Sequence, residues 1–325
     1  MLWNVLNCQA IEKASWLNFL IMKGGDYFVD AASWMAEVSG IPKLIVGATV
    51  VSLATTLPEM FVSVMAAVDG KVDMSIGNAV GSVTSNIGLI MGISIFCMPA
   101  VIRRRDYMAK SLLMLAAAAV IVTGGWAGQI GIGLSLALLA IFAMFLYENV
   151  GSARRQLAVE RGKNTLSKPD KGEIGSNILK FVTGAAGIVV GSRLLVDNGS
   201  SLALYAGVSE RIIGVTVIAI GTSLPELVTT LTAITKRQSA LSLGNILGAN
   251  ILDLSLILPL SSLISGHALP VASNSAAIDL PACFLVGCIA LVPALVCSRF
   301  RRWQGVALLA AYAVYLVLTC TQAAG

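Results

Sequence analysis

The chain has 325 residues, a formal net charge of +5, 57% hydrophobic residues and only 12% charged ones. Soluble domains carry about 25% charged residues, so this composition, with a mean hydropathy of +0.85, excludes a globule solvated by water alone. A nucleic-acid partner is not expected either, because the basic residues fall in the gaps between long apolar runs.

A helix needs roughly 20 apolar residues to cross a bilayer. In chain order the sequence predicts ten such helices, over 14–38, 43–68, 73–98, 107–124, 129–149, 174–206, 211–235, 240–265, 276–298 and 303–321. Lys23, Asp26, Asp30 and Glu37 interrupt the first. The runs are continuous rather than alternating, which argues against a membrane β-barrel. The expected fold class is an all-α integral membrane protein whose solvent is the lipid bilayer. Numbering the loops in order, the odd ones hold sixteen Lys and Arg residues, among them Lys43, Arg103–Arg105, Arg154, Arg155, Lys236 and Arg299. The even loops hold only Lys71 and Arg211. By the positive-inside rule this puts the odd loops in the cytoplasm and both termini outside. Residues 1–15 lack the basic start and apolar core of a cleavable leader. Most of the six cysteines sit in apolar runs without metal-like or redox spacing, and the single histidine, His267, falls in a short even loop, where it reads as structural or solvated.

Residues 47–59 (GATVVSLATTLPE) and 214–226 (GVTVIAIGTSLPE) are identical at seven of thirteen positions. At the same offset of 167, Gly77-Asn78 meets Gly244-Asn245, Gly81 meets Gly248, Asn86 meets Asp253 and Asp30 meets Asp197. The repeat therefore spans about five helices per half. Five is odd, so equivalent helices must cross in opposite directions, an architecture that places transporter sites where interrupted helices meet. The expected organisation is a first membrane half over 1–149 with its repeat motif over about 43–98, a basic cytoplasmic link over 150–173, and a second half over 174–325 with its motif over about 211–265. Gly and Thr in such motifs favour helix packing, but packing alone does not explain a glutamate placed twice at membrane depth.

Those glutamates are Glu59 and Glu226. An ionised carboxylate at the bilayer centre costs at least about 2.5–3.5 kcal/mol, so it persists by facing a polar cavity or a cation. Each follows a proline, which removes a helical hydrogen bond: Pro58 is expected to free the carbonyl of Ala54, and Pro225 that of Gly221. Ser52, Thr55, Glu59 and Ser63 share one helix face, and Thr222, Glu226 and Thr230 repeat the stripe. On the following helices Asn78, Ser82 and Asn86 run at i+4 spacing, as do Asn245, Ala249 and Asp253. Asn78 and Asn245 serve either the cavity or the backbone. Asp26, Asp30 and Asp197 are expected near the interface or paired with Lys23 or Arg193. All candidate ligands are oxygens, which suit hard cations such as Ca²⁺, Mg²⁺ or Na⁺. Two glutamates neutralise one Ca²⁺, and Asp253 brings the charge to that of several monovalent ions.

At these motifs the sequence resembles the calcium/cation antiporter superfamily, the sodium/calcium exchangers and their prokaryotic relatives. Gly221-Thr222-Ser223-Leu224-Pro225-Glu226 and Gly244-Asn245-Ile246-Leu247-Gly248-Ala249-Asn250-Ile251 fit its two signatures fully. The first copy is looser: Ala54 stands for a glycine, and Val83 for the usual asparagine. The resemblance implies ten helices in two inverted five-helix repeats, alternating access, a prokaryotic plasma (inner) membrane and no obligatory protein partner. It implies no resident cofactor, with Ca²⁺ and Na⁺ as transported substrates. Ca²⁺ would be held by Glu59, Glu226, Thr55 and Thr222, and Na⁺ by Thr56, Ser223, Ser82 and nearby carbonyls, with Asn86 and Asp253 flanking. Ala249 lacks the hydroxyl of its partner Ser82, so one sodium position leans on carbonyls. Exchange of Ca²⁺ for Na⁺ is the leading expectation, and Ca²⁺/H⁺ exchange is the alternative, since burial favours protonated carboxyls. A passive channel needs a continuous pore, which inverted repeats around one site do not suggest. An enzyme is not expected, because no histidine lies in the membrane to activate a nucleophile.

Overall fold

The computed structural model describes residues 2–99, 104–162, 170–205 and 219–324. Residues 100–103 with Arg103, 163–169 of the link with Lys163 and Lys168, and 206–218 with Arg211 and the first five residues of the 214–226 repeat segment lie outside them. Among the described residues there are ten helical rods: α1 (Leu2–Ser39), α2 (Lys43–Val68), α3 (Val72–Cys97), α4 (Arg104–Trp126), α5 (Ile132–Gly162), α6 (Lys171–Tyr205), α7 (Ala219–Thr222 and Leu224–Thr235), α8 (Ser239–Ser265), α9 (Ser275–Cys297) and α10 (Arg302–Ala324). Each corresponds to one expected segment. Eight are long and apolar enough to cross a membrane; the exceptions are α1, with its charges, and α7, whose described part is short. The chain is a multi-pass all-α membrane protein.

One element was not legible beforehand. Two-residue strands β1 (Gln129–Ile130) and β2 (Leu269–Pro270) pair antiparallel, Gln129 against Pro270 and Ile130 against Leu269. They are too short to leave a period-two pattern. They join the α4–α5 connector to the α8–α9 connector, both even-numbered. On the odd side, Lys43 Nζ donates to Gln238 Oε1 at 2.9 Å, tying the start of α2 to the α7–α8 turn. Even meeting even and odd meeting odd is what ten crossings require.

Glycines fix the directions of the rods. A Cβ on Gly24 would press on Gly184 O and Ile188 N, one on Gly184 on Phe28 N, and one on Gly191 on Ile21. Rising numbers in α1 thus meet falling numbers in α6, and these two equivalent helices pack antiparallel. Between α2 and α8 the numbers rise together: a Cβ on Gly47 would strike Leu241 O, one on Gly244 would strike Leu44 O, and one on Gly248 would strike Ala48 O. Parallel α2 and α8, like antiparallel α1 and α6, follow from inverted five-helix repeats.

The core gathers around α8, whose residues 241–255 are all buried. Its polar side chains therefore face protein rather than lipid. Equivalent π-helical turns begin at Asn86 in α3 and at Asp253 in α8, the kind of local widening that recurs at functional sites. The two proline motifs have diverged. α2 runs through Pro58 as a helix, whereas α7 is interrupted at Ser223 (φ −88°, ψ 7°), with Pro225 in the first turn of its second piece. Gly221 is freer to leave the helix than Ala54.

The expected pairing of Asp26 and Asp30 with Lys23 or Arg193 is corrected by the structure. Both carboxylates bind Lys236 in the α7–α8 turn, Nζ to Asp30 Oδ1 at 2.7 Å and to Asp26 Oδ1 at 3.2 Å. The packing of α1 on α7 brings Lys236 to them, where Thr232 and Val228 approach Gly25. Asp197 and Arg193 line a cleft between α2, α6 and α7.

Candidate cation site

α2, α3, α7 and α8 bring their polar stripes to the interior of the bundle. Glu59, Glu226 and Asp253 have 0% exposed surface. Thr55, Thr56, Ser82, Asn86, Ser223, Asn245 and Gly221 are buried as well, while Ala54, Asn78 and Thr222 are half-buried. The carboxylates lie within one another's electrostatic reach: Glu226 and Asp253 both act on Glu59. The Ser82 hydroxyl stands beside Glu59, and Thr55 and Thr56 flank Glu226.

Glu59 Oε1 and Oε2, Glu226 Oε2, and both Asp253 carboxylate oxygens meet no donor at hydrogen-bond geometry among the described residues. Glu226 Oε1 accepts from Thr56 Oγ1 at 3.5 Å. The Ser82 and Ser223 hydroxyls and both ends of the Asn86 amide are buried and unpartnered too. Burying an unpaired carboxylate is among the costliest things a fold can do. Three together, surrounded by idle hydroxyl and amide oxygens, balance only when a cation or protons enter. No three acidic, imidazole or thiol groups among the described residues close on one point tightly enough to hold a metal by themselves. Hydroxyl, amide and carbonyl oxygens must therefore complete any coordination shell, which again suits a hard cation.

The remaining residues separate. Asn78 does not turn its Nδ2 to the carboxylates: that atom donates to Glu59 O at 3.2 Å and to Ser63 Oγ at 2.9 Å, bracing the backbone of α2. Asn245 Oδ1 accepts from Thr55 Oγ1 at 3.3 Å, a proton that Thr55 shares with Val51 O and Ser52 O. Ala54, Gly221 and Thr222 line the α2–α6–α7 cleft of about 700 Å³ together with Pro58 and Pro225. A Cβ on Gly221 would collide with the Val196 side chain, so glycine is needed for α7 to lie against α6. Asn250 escaped the sequence reading: its amide is buried with neither end partnered. The only signal was the mismatch with its equivalent, Val83.

The sodium/calcium exchanger protein family matches this chain over residues 16–150 and 176–321. The inner membrane protein YrbG of Escherichia coli (strain K12) is 34% identical over 314 residues, covering 92% of this chain and 93% of that one. The sodium/calcium exchanger MaX1 of Methanosarcina acetivorans is 29% identical over 345 residues, covering 93% and 98%. Among solved structures, the sodium-calcium exchanger NCX_Mj soaked with 2.5 mM Na⁺ and 10 mM Sr²⁺ aligns with a TM-score of 0.80 at 26% identity, over 95% of this chain and 98% of that chain.

Proposed function

Because the chain belongs to the sodium/calcium exchanger family, a family of transporters rather than enzymes, we propose that it carries Ca²⁺ against Na⁺ by alternating access at a site in mid-bilayer. Glu59 and Glu226 neutralise Ca²⁺, and Thr55 and Thr222 add oxygens from equivalent positions. Thr56, Ser223 and Ser82 take part in Na⁺ binding, with Asn86 and Asp253 flanking and the carbonyls of Ala54 and Gly221 beside the two proline motifs. The observation that carries this reading is the set of five partnerless carboxylate oxygens drawn from both halves of the repeat. The halves, 1–149 and 174–325, rock about that site, with the odd loops in the cytoplasm and both termini outside. The E. coli relative's name puts that protein in the inner membrane, which supports the same place for this chain.

A Ca²⁺/H⁺ cycle is the second reading. Ala249 supplies no hydroxyl where Ser82 does, and both Asp253 oxygens are unpartnered, so a proton is an alternative occupant of that side. ⁴⁵Ca²⁺ flux into proteoliposomes separates the two. Uptake driven by a sodium gradient and absent under a pH gradient supports Na⁺/Ca²⁺ exchange; uptake driven only by the pH gradient overturns it. Glu59→Gln and Glu226→Gln each abolish flux while the protein still inserts. Wild-type flux in both variants refutes the site.

A further inference from the structure

The two repeat asparagines do different things in this structure, and the difference is directional. At the 167-residue offset Asn78 is equivalent to Asn245, Thr55 to Thr222, Glu59 to Glu226 and Ser63 to Thr230. Asn78 Nδ2 holds Glu59 O and Ser63 Oγ, both on α2 of its own half. If the second half were arranged alike, Asn245 Nδ2 would hold Glu226 O and Thr230 Oγ1. Instead Asn245 Nδ2 and Thr230 Oγ1 are both buried and unpartnered, and Asn245 Oδ1 takes the Thr55 proton, again on α2. Both asparagines thus bind α2, and in these bonds neither binds α7. The helix they hold is the one that runs unbroken through its proline, and the helix they leave is interrupted at Ser223.

We propose that Asn78 and Asn245 are a pair of positioning residues that clamp α2 in this conformation and α7 in the opposite one, trading partners as the carrier alternates. The proposal rests on the alternating-access reading. Two inverted repeats have two conformations related by exchanging the roles of the halves. Exchanging them here sends Asn245 Nδ2 to Glu226 O and Thr230 Oγ1, and releases Glu59 O and Ser63. Two buried groups idle in this state, Asn245 Nδ2 and Thr230 Oγ1, are then satisfied in the other, while Asn78 Nδ2 and Ser63 lose their bond. The interior thus has two discrete hydrogen-bond arrangements, and each presents one glutamate's backbone in a braced form and the other's in a free one. Asn78 and Asn245 on this account set helix position without being ligands.

The test is hydrogen exchange, read by mass spectrometry on the full chain in lipid nanodiscs, over peptides covering 52–68 and 224–235. Asn78→Ala weakens the present state, so protection falls on α2 and rises on α7. Asn245→Ala removes one bond from the present state and two from the opposite one, so the balance moves toward the present state and protection falls on α7. Both variants slow exchange flux by about tenfold, because each biases a two-state cycle, while equilibrium ⁴⁵Ca²⁺ binding stays near wild type. Changes of the same sign in the two variants, no change in either, or loss of ⁴⁵Ca²⁺ binding overturns the clamp. Should an alanine variant fail to fold, Asn78→Ser and Asn245→Ser carry the same opposite signs. A wild type that moves no Ca²⁺ defeats the transport reading, while the protection pattern still decides the clamp.

Discussion

The Thr56 hydroxyl, from the first half, donates to the Glu226 carboxylate of the second, Oγ1 to Oε1 3.5 Å. It joins the two halves of the repeat directly at the buried carboxylates. It helps to orient Oε1, with Thr55 on the same carboxylate. A hydrogen bond to a charged group contributes about 1.5–3 kcal/mol at good geometry, and this long one less. Thr56→Val is expected to weaken ⁴⁵Ca²⁺ binding by about five- to tenfold, or roughly 1 kcal/mol. On a Glu226→Gln background the same substitution should cost little more, since residues sharing one interaction are not additive. A full additional penalty in the double variant would contradict the coupling.

The α2–α8 crossing is held by backbone approaching backbone. A Cβ added to Gly244 would lie on Leu44 O and close to Ala48 N, neither of which is the end of a flexible side chain. Gly244→Ala must therefore push the helices apart, at about 3 kcal/mol by the usual cost of overpacking. Because α2 carries Glu59 and α8 carries Asp253, flux should fall together with the thermal midpoint of the purified protein. Gly221→Ala meets the Val196 side chain first, so its loss should be largely restored by adding Val196→Ala. An unaltered midpoint in Gly244→Ala would show that the crossing is looser than the glycines suggest.

How much of this was legible in sequence depends on the kind of signal. The ten rods were, because long apolar runs have no other solution in a bilayer. So was the convergence of Glu59 and Glu226, because an offset repeat over an odd number of helices forces opposed halves. Partners were not. Asp26 and Asp30 sit near Lys23 in the chain, yet they meet Lys236, since that pairing is set by how α1 packs on α7. Asn78 and Asn245 look identical in sequence, yet Asn78 holds α2 by its Nδ2 and Asn245 by its Oδ1, a difference no repeat pattern encodes. The β1–β2 ribbon is too short for any period. Asn250, buried with neither end of its amide partnered among the described residues, was hidden because its equivalent is Val83 and it lies off the i+4 stripe of Asn245, Ala249 and Asp253.

Lys236 closes the odd side of α1. Burial disfavours its ammonium, but hydrogen bonds to Asp30 and Asp26 outweigh that and hold it above the ordinary lysine value. A raised lysine stabilises at every pH below its unfolded value, about 10.4, and the contribution is lost as pH rises through the higher folded value. The partners are partly exposed, so each pair is worth about 0.2–1 kcal/mol and less at high salt. The stability gap between wild type and Lys236→Met should therefore be flat from about pH 6 to 9 and shrink as pH rises beyond about 10.4. Titration of the gap within the lower range would assign the effect to another group.

The outer helices carry a second echo of the repeat, in unlike chemistry. Lys110 on α4, only 1% exposed, donates to Glu148 on α5 at 2.7 Å, and Ser152 donates to the other Glu148 oxygen. At the 167-residue offset Glu148 corresponds to Tyr315 on α10, whose hydroxyl donates to Asp279 on α9 at 3.1 Å. Each half thus pins its fourth helix to its fifth with one polar bond, ionic in the first and hydroxyl-to-carboxylate in the second. Removing one partner of a buried pair costs about 3–5 kcal/mol because the other charge is stranded. Glu148 keeps 18% of its side chain exposed and retains Ser152, so Lys110→Met should cost about 2–3 kcal/mol on that scale. Replacing both, Lys110→Met with Glu148→Leu, should recover most of the loss, since a well-packed apolar pair often equals a buried ion pair. Tyr315→Phe breaks a single bond and should cost about 1 kcal/mol. Thermal unfolding of the purified protein measures all three. A double variant no more stable than Lys110→Met would mean that the pair positions α5 by its charge rather than by filling space.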